Sequence, residues 1–295
     1  MDFVNVHNIT DKVQEVMVRV PDPRLRQISH SLIDHLHAFI RDVQPNQAEF
    51  EQACEFLVAL GQSTGPAKNE VILLSDILGA SSLINLQNDQ PDGTRNHHTD
   101  AALLGPFWRA QSPAMPLGAN IARGQEAQDS SQSLQVGGTV RNAAGQALAD
   151  AVVDVWQASP VGLYENQDPQ QPNMNLRGQF RTDAAGTFHF LSVRPAGYPV
   201  PVDGPCGTLL KAQNRHPYRP AHLHFMVSKP GYKVLVTQVF ADDDERLATD
   251  VTFSVADSLV GRFARQPHGA PSAFRLDFDL VLQVGDTVFP APPIP

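Results

Sequence analysis

Two periods divide the chain. From Leu25 to Val43 the apolar positions Leu25, Ile28, Leu32, Leu36, Phe39 and Val43 recur every three or four residues, as on one face of an α-helix. Asp22 is placed to cap that helix, and Pro23 suits its first position. Asn46 and Glu49 have capping-box spacing, after which Phe50, Cys54, Leu57 and Leu60 keep the helical period. His30, His35 and His37 fall mostly off the apolar stripe, which predicts a solvated face. A third helix is predicted over Asn69–Asn88, apolar enough at Val71, Ile72, Leu73, Leu74, Ile77 and Leu78 to be buried on most sides. Asp76 sits inside it. A buried carboxylate needs a donor, so it reaches the surface, finds a partner or meets a substrate.

A polar loop carrying His97-His98 follows, then Leu103-Leu104-Gly105-Pro106-Phe107-Trp108, where Gly-Pro breaks the helical pattern. The module boundary is placed there, giving a helical region over 1–103 and a second domain over 104–295. Arg109–Gln132 has no period and predicts an extended connection. From Ser133 the period becomes two. Leu134–Val140 and Ala151–Trp156 flank Asn142-Ala143-Ala144-Gly145, and Phe180–Thr182 and Thr187–Val193 flank Asp183-Ala184-Ala185-Gly186. Leu223–Val227 and Val234–Phe240 flank Lys229-Pro230-Gly231, and Phe274–Leu282 alternates to the end of the pattern. The expected class is α+β: N-terminal helices, then an antiparallel β-sandwich, with 289–295 as a draped proline-rich tail.

Composition narrows the partners. A formal net charge of −9 argues against nucleic acid and anionic membrane surfaces. The two cysteines, Cys54 and Cys206, offer no disulfide framework, and residues 1–20 lack a signal-peptide pattern. No apolar run is long enough to span a membrane. The expectation is a soluble cytoplasmic protein.

The chemistry gathers in residues 198–225, which close on His222-Leu223-His224. On a strand these two imidazoles share one face, about 7 Å apart along it, and can converge on a metal. All four tyrosines of the chain lie between Tyr164 and Tyr232, and Tyr164 and Tyr198 sit beside glycine and proline. Burying a phenolate is costly without a strong cation, and a hard, highly charged ion such as ferric iron prefers anionic oxygen.

The segments G-L-Y-E-N-Q (162–167), N-L-R-G-Q-F-R-T-D (175–183), P-A-G-Y-P-V-P (195–201) and R-H-P-Y-R-P-A-H-L-H-F (215–225) resemble the intradiol ring-cleaving dioxygenases. The resemblance runs from Leu25 to Leu282. It implies one ferric iron per chain held by Tyr164, Tyr198, His222 and His224, with an aromatic diol or triol and O2 as substrates. It further implies that Tyr198 accepts a substrate proton, that Arg219 stabilises charge developing on the ring, and that Gln238 lies near the iron. Leu73, Asp76, Leu104, Pro106, Phe107, Val200 and Pro201 would line the pocket. Tyr218 and Tyr232 match no ligand position. The stretches 198–205 and 262–267 are most similar to hydroxyquinol-cleaving members, although Cys206 departs from the valine expected there. The family also implies a homodimer through the N-terminal helices, with phospholipid at the interface.

Other readings stay open on the residues alone. A catechol or chlorocatechol 1,2-dioxygenase would share the ligand set and differ in the pocket. A two-histidine, one-carboxylate ferrous site calls for an acid where His224 stands. A zinc hydrolase gives the tyrosines no part and lacks H-E-x-x-H. A transthyretin-like binding module explains the strands but leaves both histidines idle.

Overall fold

The computed structural model describes residues 3–65, 68–89, 97–125 and 129–293. Most of the loop between the third predicted helix and His97, part of the 109–132 connection, and the chain ends therefore lie outside the described residues. By its contacts the chain divides into Met1–Val58 and Ala59–Pro295.

The first unit holds α1 (Ile9–Met17), α2 (Pro23–Val43) and most of α3 (Gln47–Ser63). Asp22 accepts from the backbone N–H of Leu25 at 2.8 Å, and Pro23 occupies the first turn of α2. Glu49 N–H donates to Asn46 Oδ1 and Asn46 N–H to Glu49 Oε2, the reciprocal capping box expected from their spacing. Much of the apolar stripe of α2 is exposed: Leu25, Leu32 and Phe39 are 53%, 61% and 59% exposed.

The second unit opens with α4 (Glu70–Ile77) and α5 (Ala80–Asp89). One helix was expected here. Gly79 breaks it by adopting φ 72°, a left-handed conformation that ends a helix at little cost only without a Cβ. Burial also differs from expectation. Glu70, Asp76 and Ile77 are buried, whereas Val71, Ile72 and Leu78 are about half exposed, so α4 buries one stripe rather than most sides.

The strands follow as β1 (Ser133–Asn142), β2 (Val152–Gln157), β3 (Arg177–Arg181), β4 (Thr187–Val193) and the two-residue β5 (Tyr198–Pro199). After α6 (Pro205–Ala212) come β6 (Tyr218–Arg219), β7 (His222–Ser228) and β8 (Leu235–Ala241). The last four are β9 (Val260–Gly261), β10 (Ala264–Arg265), β11 (Phe274–Asp277) and β12 (Leu280–Leu282). One sheet runs β10-β11-β1-β12 with β4 also on β1; the other runs β3-β2-β7-β8-β9. Pairing is mostly antiparallel, but β1 pairs with both β11 and β12 in parallel, and β8 with β9 likewise. Parallel neighbours need a long crossover, and the chain between β8 and β11 supplies one that no turn motif announces.

The inner faces of the two sheets meet in one core. Val136, Val140, Phe188 and Phe190 pack from one sheet against Val153, Val155, Phe225 and Val239 from the other. Each such side chain contributes about 1.5–3 kcal/mol by leaving water. Every residue of β7 is buried, so its second face is covered too. That face of the second sheet carries Asp154, Trp156, His222, His224 and Gln238, and the site is built on it.

Candidate metal centre and pocket

Period two on β7 sends Leu223, Phe225 and Val227 into the core and His222 and His224 to the opposite face. Cross-strand register aligns Trp156 of β2, His224 of β7 and Gln238 of β8 in one row, with His222 facing Phe240 in the next. The tyrosines come from outside the sheet. Tyr198 lies on β5, pinned opposite Arg219 of β6. Tyr164 follows a turn at Gly162, whose φ is 81° and where a Cβ would lie 3.0 Å from Tyr198 Cβ. Glycine there lets the two tyrosine-bearing segments touch. Tyr164 N–H donates to Gln167 Oε1, and buried Arg177 pairs with Glu165 next to it at 2.8 Å.

The four donor atoms close into a ring. Tyr164 Oη lies 3.1 Å from Tyr198 Oη and 3.0 Å from His224 Nε2. His222 Nε2 lies 3.1 Å from His224 Nε2 and 3.5 Å from Tyr198 Oη. Donors bonded at about 2.0–2.2 Å to one small ion sit about 3 Å apart, so this set fits a metal. His222 Nδ1–H donates to the carbonyl of Pro220 at 2.7 Å, which leaves its Nε2 lone pair facing the ring. All four side chains are buried. Among the described residues no cluster of three His, Cys, Asp or Glu side chains could hold a metal.

Electrostatics prepare the ring for a cation. Burial, then the charge of Arg219, lowers His222 to about 3, and burial and His222 hold His224 well below the usual imidazole range. Both imidazoles are therefore neutral, as metal ligands must be. Burial pushes both phenols up, with Arg219 pulling the other way. Arg219 Nη1 lies 3.3 Å from His222 Nε2, and its Nη2 donates to Gln238 Oε1 at 2.8 Å. Gln238 Nε2 in turn donates to the carbonyl of Leu103 at 2.7 Å. Gln238 thus fastens Arg219 to the segment that walls the cavity.

A cavity of about 550 Å³ opens above the ring. Tyr198 and Arg219 line it directly, while Tyr164, His222 and His224 lie one contact deeper. Leu73 and Asp76 face it from α4, Pro106 and Phe107 from one wall, and Val200 and Pro201 from the other. Leu104 instead packs into an aromatic cluster with Trp108, Trp156 and Tyr164, and its neighbours Leu103 and Gly105 reach the cavity. Phe107 stacks on the Tyr164 ring at 4.5 Å. Burial raises the Asp76 carboxyl, opposed by a hydrogen bond from Ser81 and by the charge of Arg219.

Glu70 escaped the sequence reading. It is fully buried, lines the cavity and accepts from the N–H of Cys206 at 3.1 Å, capping α6 from another element. Lys68 pairs with it at 3.4 Å and with Asp203 at 2.9 Å. The signal was faint: Gly204-Pro205 opens a helix without a capping side chain of its own.

Comparison with known proteins agrees with this geometry. Residues 104–284 match a family model described as dioxygenase, and residues 22–95 one described as catechol dioxygenase N terminus. The chain is 40% identical over 283 residues to a 6-chlorohydroxyquinol 1,2-dioxygenase of Cupriavidus pinatubonensis, covering 96% of this chain and 99% of that one. It is 41% identical over 246 residues to a hydroxyquinol 1,2-dioxygenase of a Rhizobium species, covering 83% and 81% respectively. The crystal structure of a Pseudomonas putida hydroxyquinol 1,2-dioxygenase superposes with a TM-score of 0.87 at 36% identity, over 95% of this chain and 99% of that one.

Proposed function

We propose that this chain, which belongs to the intradiol ring-cleaving dioxygenases, opens hydroxyquinol (benzene-1,2,4-triol) between its adjacent hydroxyls. Both atoms of O2 enter the product, and breaking the bond between the two hydroxyl-bearing carbons gives maleylacetate. The observation that carries the reading is the closed ring of two phenols and two imidazoles beneath the cavity. Tyr164, Tyr198, His222 and His224 would hold one ferric iron per chain. Bound there, the iron would supply Lewis acidity, making the substrate hydroxyls more acidic and favouring the electron-rich form of the ring that reacts with O2.

The chain's own residues do the rest. Tyr198 is the ligand that lines the cavity, so its Oη is placed to take a proton from an arriving hydroxyl. Arg219 keeps its charge in this buried setting and offers a fixed planar donor to negative charge developing on the substrate. Phe107, Pro106, Val200, Pro201 and Leu73 exclude water around a flat ring. Asp76, which lines the cavity, would accept a hydrogen bond from the third hydroxyl. Metal analysis, a visible absorption spectrum and product identification from the triol under O2 test the reading together. One iron per chain, a coloured protein and maleylacetate are expected; a semialdehyde product would refute cleavage between the hydroxyls.

The reading extends to assembly. The exposed stripe on α2 supports a homodimer through the N-terminal helices, with phospholipid able to fill apolar space at that interface. A monomer in sedimentation at micromolar concentration counts against it. The helical region over 1–103 then serves dimerisation and lends the α4 wall of the cavity, with Leu73 and Asp76, to the catalytic domain over 104–295. The two free cysteines support a cytoplasmic setting.

A further inference from the structure

Arg219 has a buried counter-ion that lies 31 residues further along the chain. Asp250 is 4% exposed, and its two oxygens accept from Arg219 Nε at 3.2 Å and Nη2 at 3.3 Å, the two-pronged grip that a guanidinium fork invites. The carboxylate is itself fixed from behind. Thr252 Oγ1 donates to it at 2.9 Å, the N–H of Thr252 at 3.3 Å and the N–H of Ser254 at 3.0 Å. The segment is held from two further directions. Ser82 of α5 donates to the Thr252 carbonyl at 2.9 Å, and Arg215 Nη2 to the Val251 carbonyl at 2.9 Å. Asp250 is not one of the residues lining the cavity, and its side-chain hydrogen bonds run to Arg219, Thr252 and Ser254.

This arrangement decides which edge of the guanidinium faces the donor ring. Asp250 takes Nε and one side of Nη2, and Gln238 takes the other side of Nη2. The ring of Phe240 lies against the guanidinium, 5.8 Å from Cζ to its centroid. Nη1 is the remaining edge, and it faces the donor ring, 3.3 Å from His222 Nε2. An arginine side chain has many rotamers, and without the fork its plane would swing.

We propose that Asp250 is the positioning residue for Arg219, holding the guanidinium plane so that Nη1 stays turned to the reacting ring. The proposal rests on the role given to Arg219 above. Asp250 acts only through that residue, so its effect on turnover vanishes when the guanidinium is gone.

The test is a double-mutant cycle on the iron-loaded enzyme with Asp250→Asn, Arg219→Gln and the pair, with Asp250→Glu as the conservative variant. Asp250→Asn is expected to lower kcat on hydroxyquinol about tenfold to a hundredfold, with KM, iron content and the visible band little changed. Asp250→Glu regains part of the loss. In the Arg219→Gln background Asp250→Asn costs nothing further; a second multiplicative loss there overturns the positioning role while leaving the role of Arg219 intact. Arg219→Gln at parental kcat would instead overturn the reading on which the proposal rests. Should Asp250→Asn fold poorly, thermal melts of the four iron-loaded proteins decide. Removing one partner strands a buried charge, so the double variant should melt above Asp250→Asn alone. Additive losses in Tm would count against the pairing.

Discussion

Trp156 lies flat on His224, the ring centroids 4.7 Å apart and the planes 12° from parallel. The two residues face each other in register across β2 and β7, and Gln238 continues the row on β8. The stack limits imidazole rotation, so His224 Nε2 stays aimed at Tyr164 and His222. Trp156→Ala should cost about 3–5 kcal/mol of stability through the cavity it leaves. It should also speed iron loss to a chelator. Denaturant melts and a timed chelation assay check the two effects; unchanged iron retention would reduce the stack to packing alone.

Removing a ligand tests the ring itself. His224→Ala leaves three protein donors for a ferric ion and a gap beside Trp156. Both colour and turnover should be lost, with iron well below one per chain by elemental analysis. A coloured, active variant would place the metal elsewhere.

Asp76 is 7% exposed and faces the cavity from α4. A charge-assisted hydrogen bond to the third hydroxyl is worth about 1.5–3 kcal/mol, or about ten- to a hundredfold in preference for the triol over catechol. Asp76→Asn should narrow that gap, read as the ratio of kcat/KM values, while iron content stays constant. A ratio that does not move removes Asp76 from substrate selection.

The Cys206 thiol is pushed up to about 12 by burial and by the Glu70 carboxylate beside it. The folded protein therefore keeps this proton at pH values where an unfolded cysteine, ionising near about 8.5, has lost it. Across that window the unfolded chain binds fewer protons than the folded one, so this group's contribution to stability falls as pH rises from about 8.5 to 12. At pH near 8 a thiol reagent should modify Cys54, which is exposed, and spare Cys206 until denaturant is added. Two thiols reacting in the native protein would contradict this burial.

Local patterns made much of this legible. His222 and His224 could be placed on one strand face because alternation is a property of every strand, and the caps at Asp22 and Asn46 announced their helices. Tyr164 and Tyr198 were different: nothing local says that a loop and a two-residue strand converge, and only the resemblance joined them to the histidines. The break at Gly79 was hidden by apolar residues on both sides. Helix α6 was obscured by the prolines and glycines at its start, and α1 by its short length and mixed composition. Asp250 and Glu70 were beyond reach, because each acts on a residue more than 30 positions away and both look like ordinary surface acids in sequence. The boundary read at Gly105-Pro106 follows the change of period. The division by contacts at residue 58 follows packing, since α4 lends its cavity-facing stripe to the second unit.

That stripe has an evolutionary consequence. The donor ring is set by β7, β5 and the Tyr164 turn, whereas Leu73 and Asp76 come from a single short helix on the far side of the cavity. On the proposed reading, reaction type resides in the donor ring, while part of the choice of substrate resides on α4, which contributes none of the four donors. A few exchanges along one face of α4 can retune which aromatic is accepted without disturbing the ligands. On the proposed reading, this helix can drift in its choice of ring while Tyr164, Tyr198, His222 and His224 stay fixed.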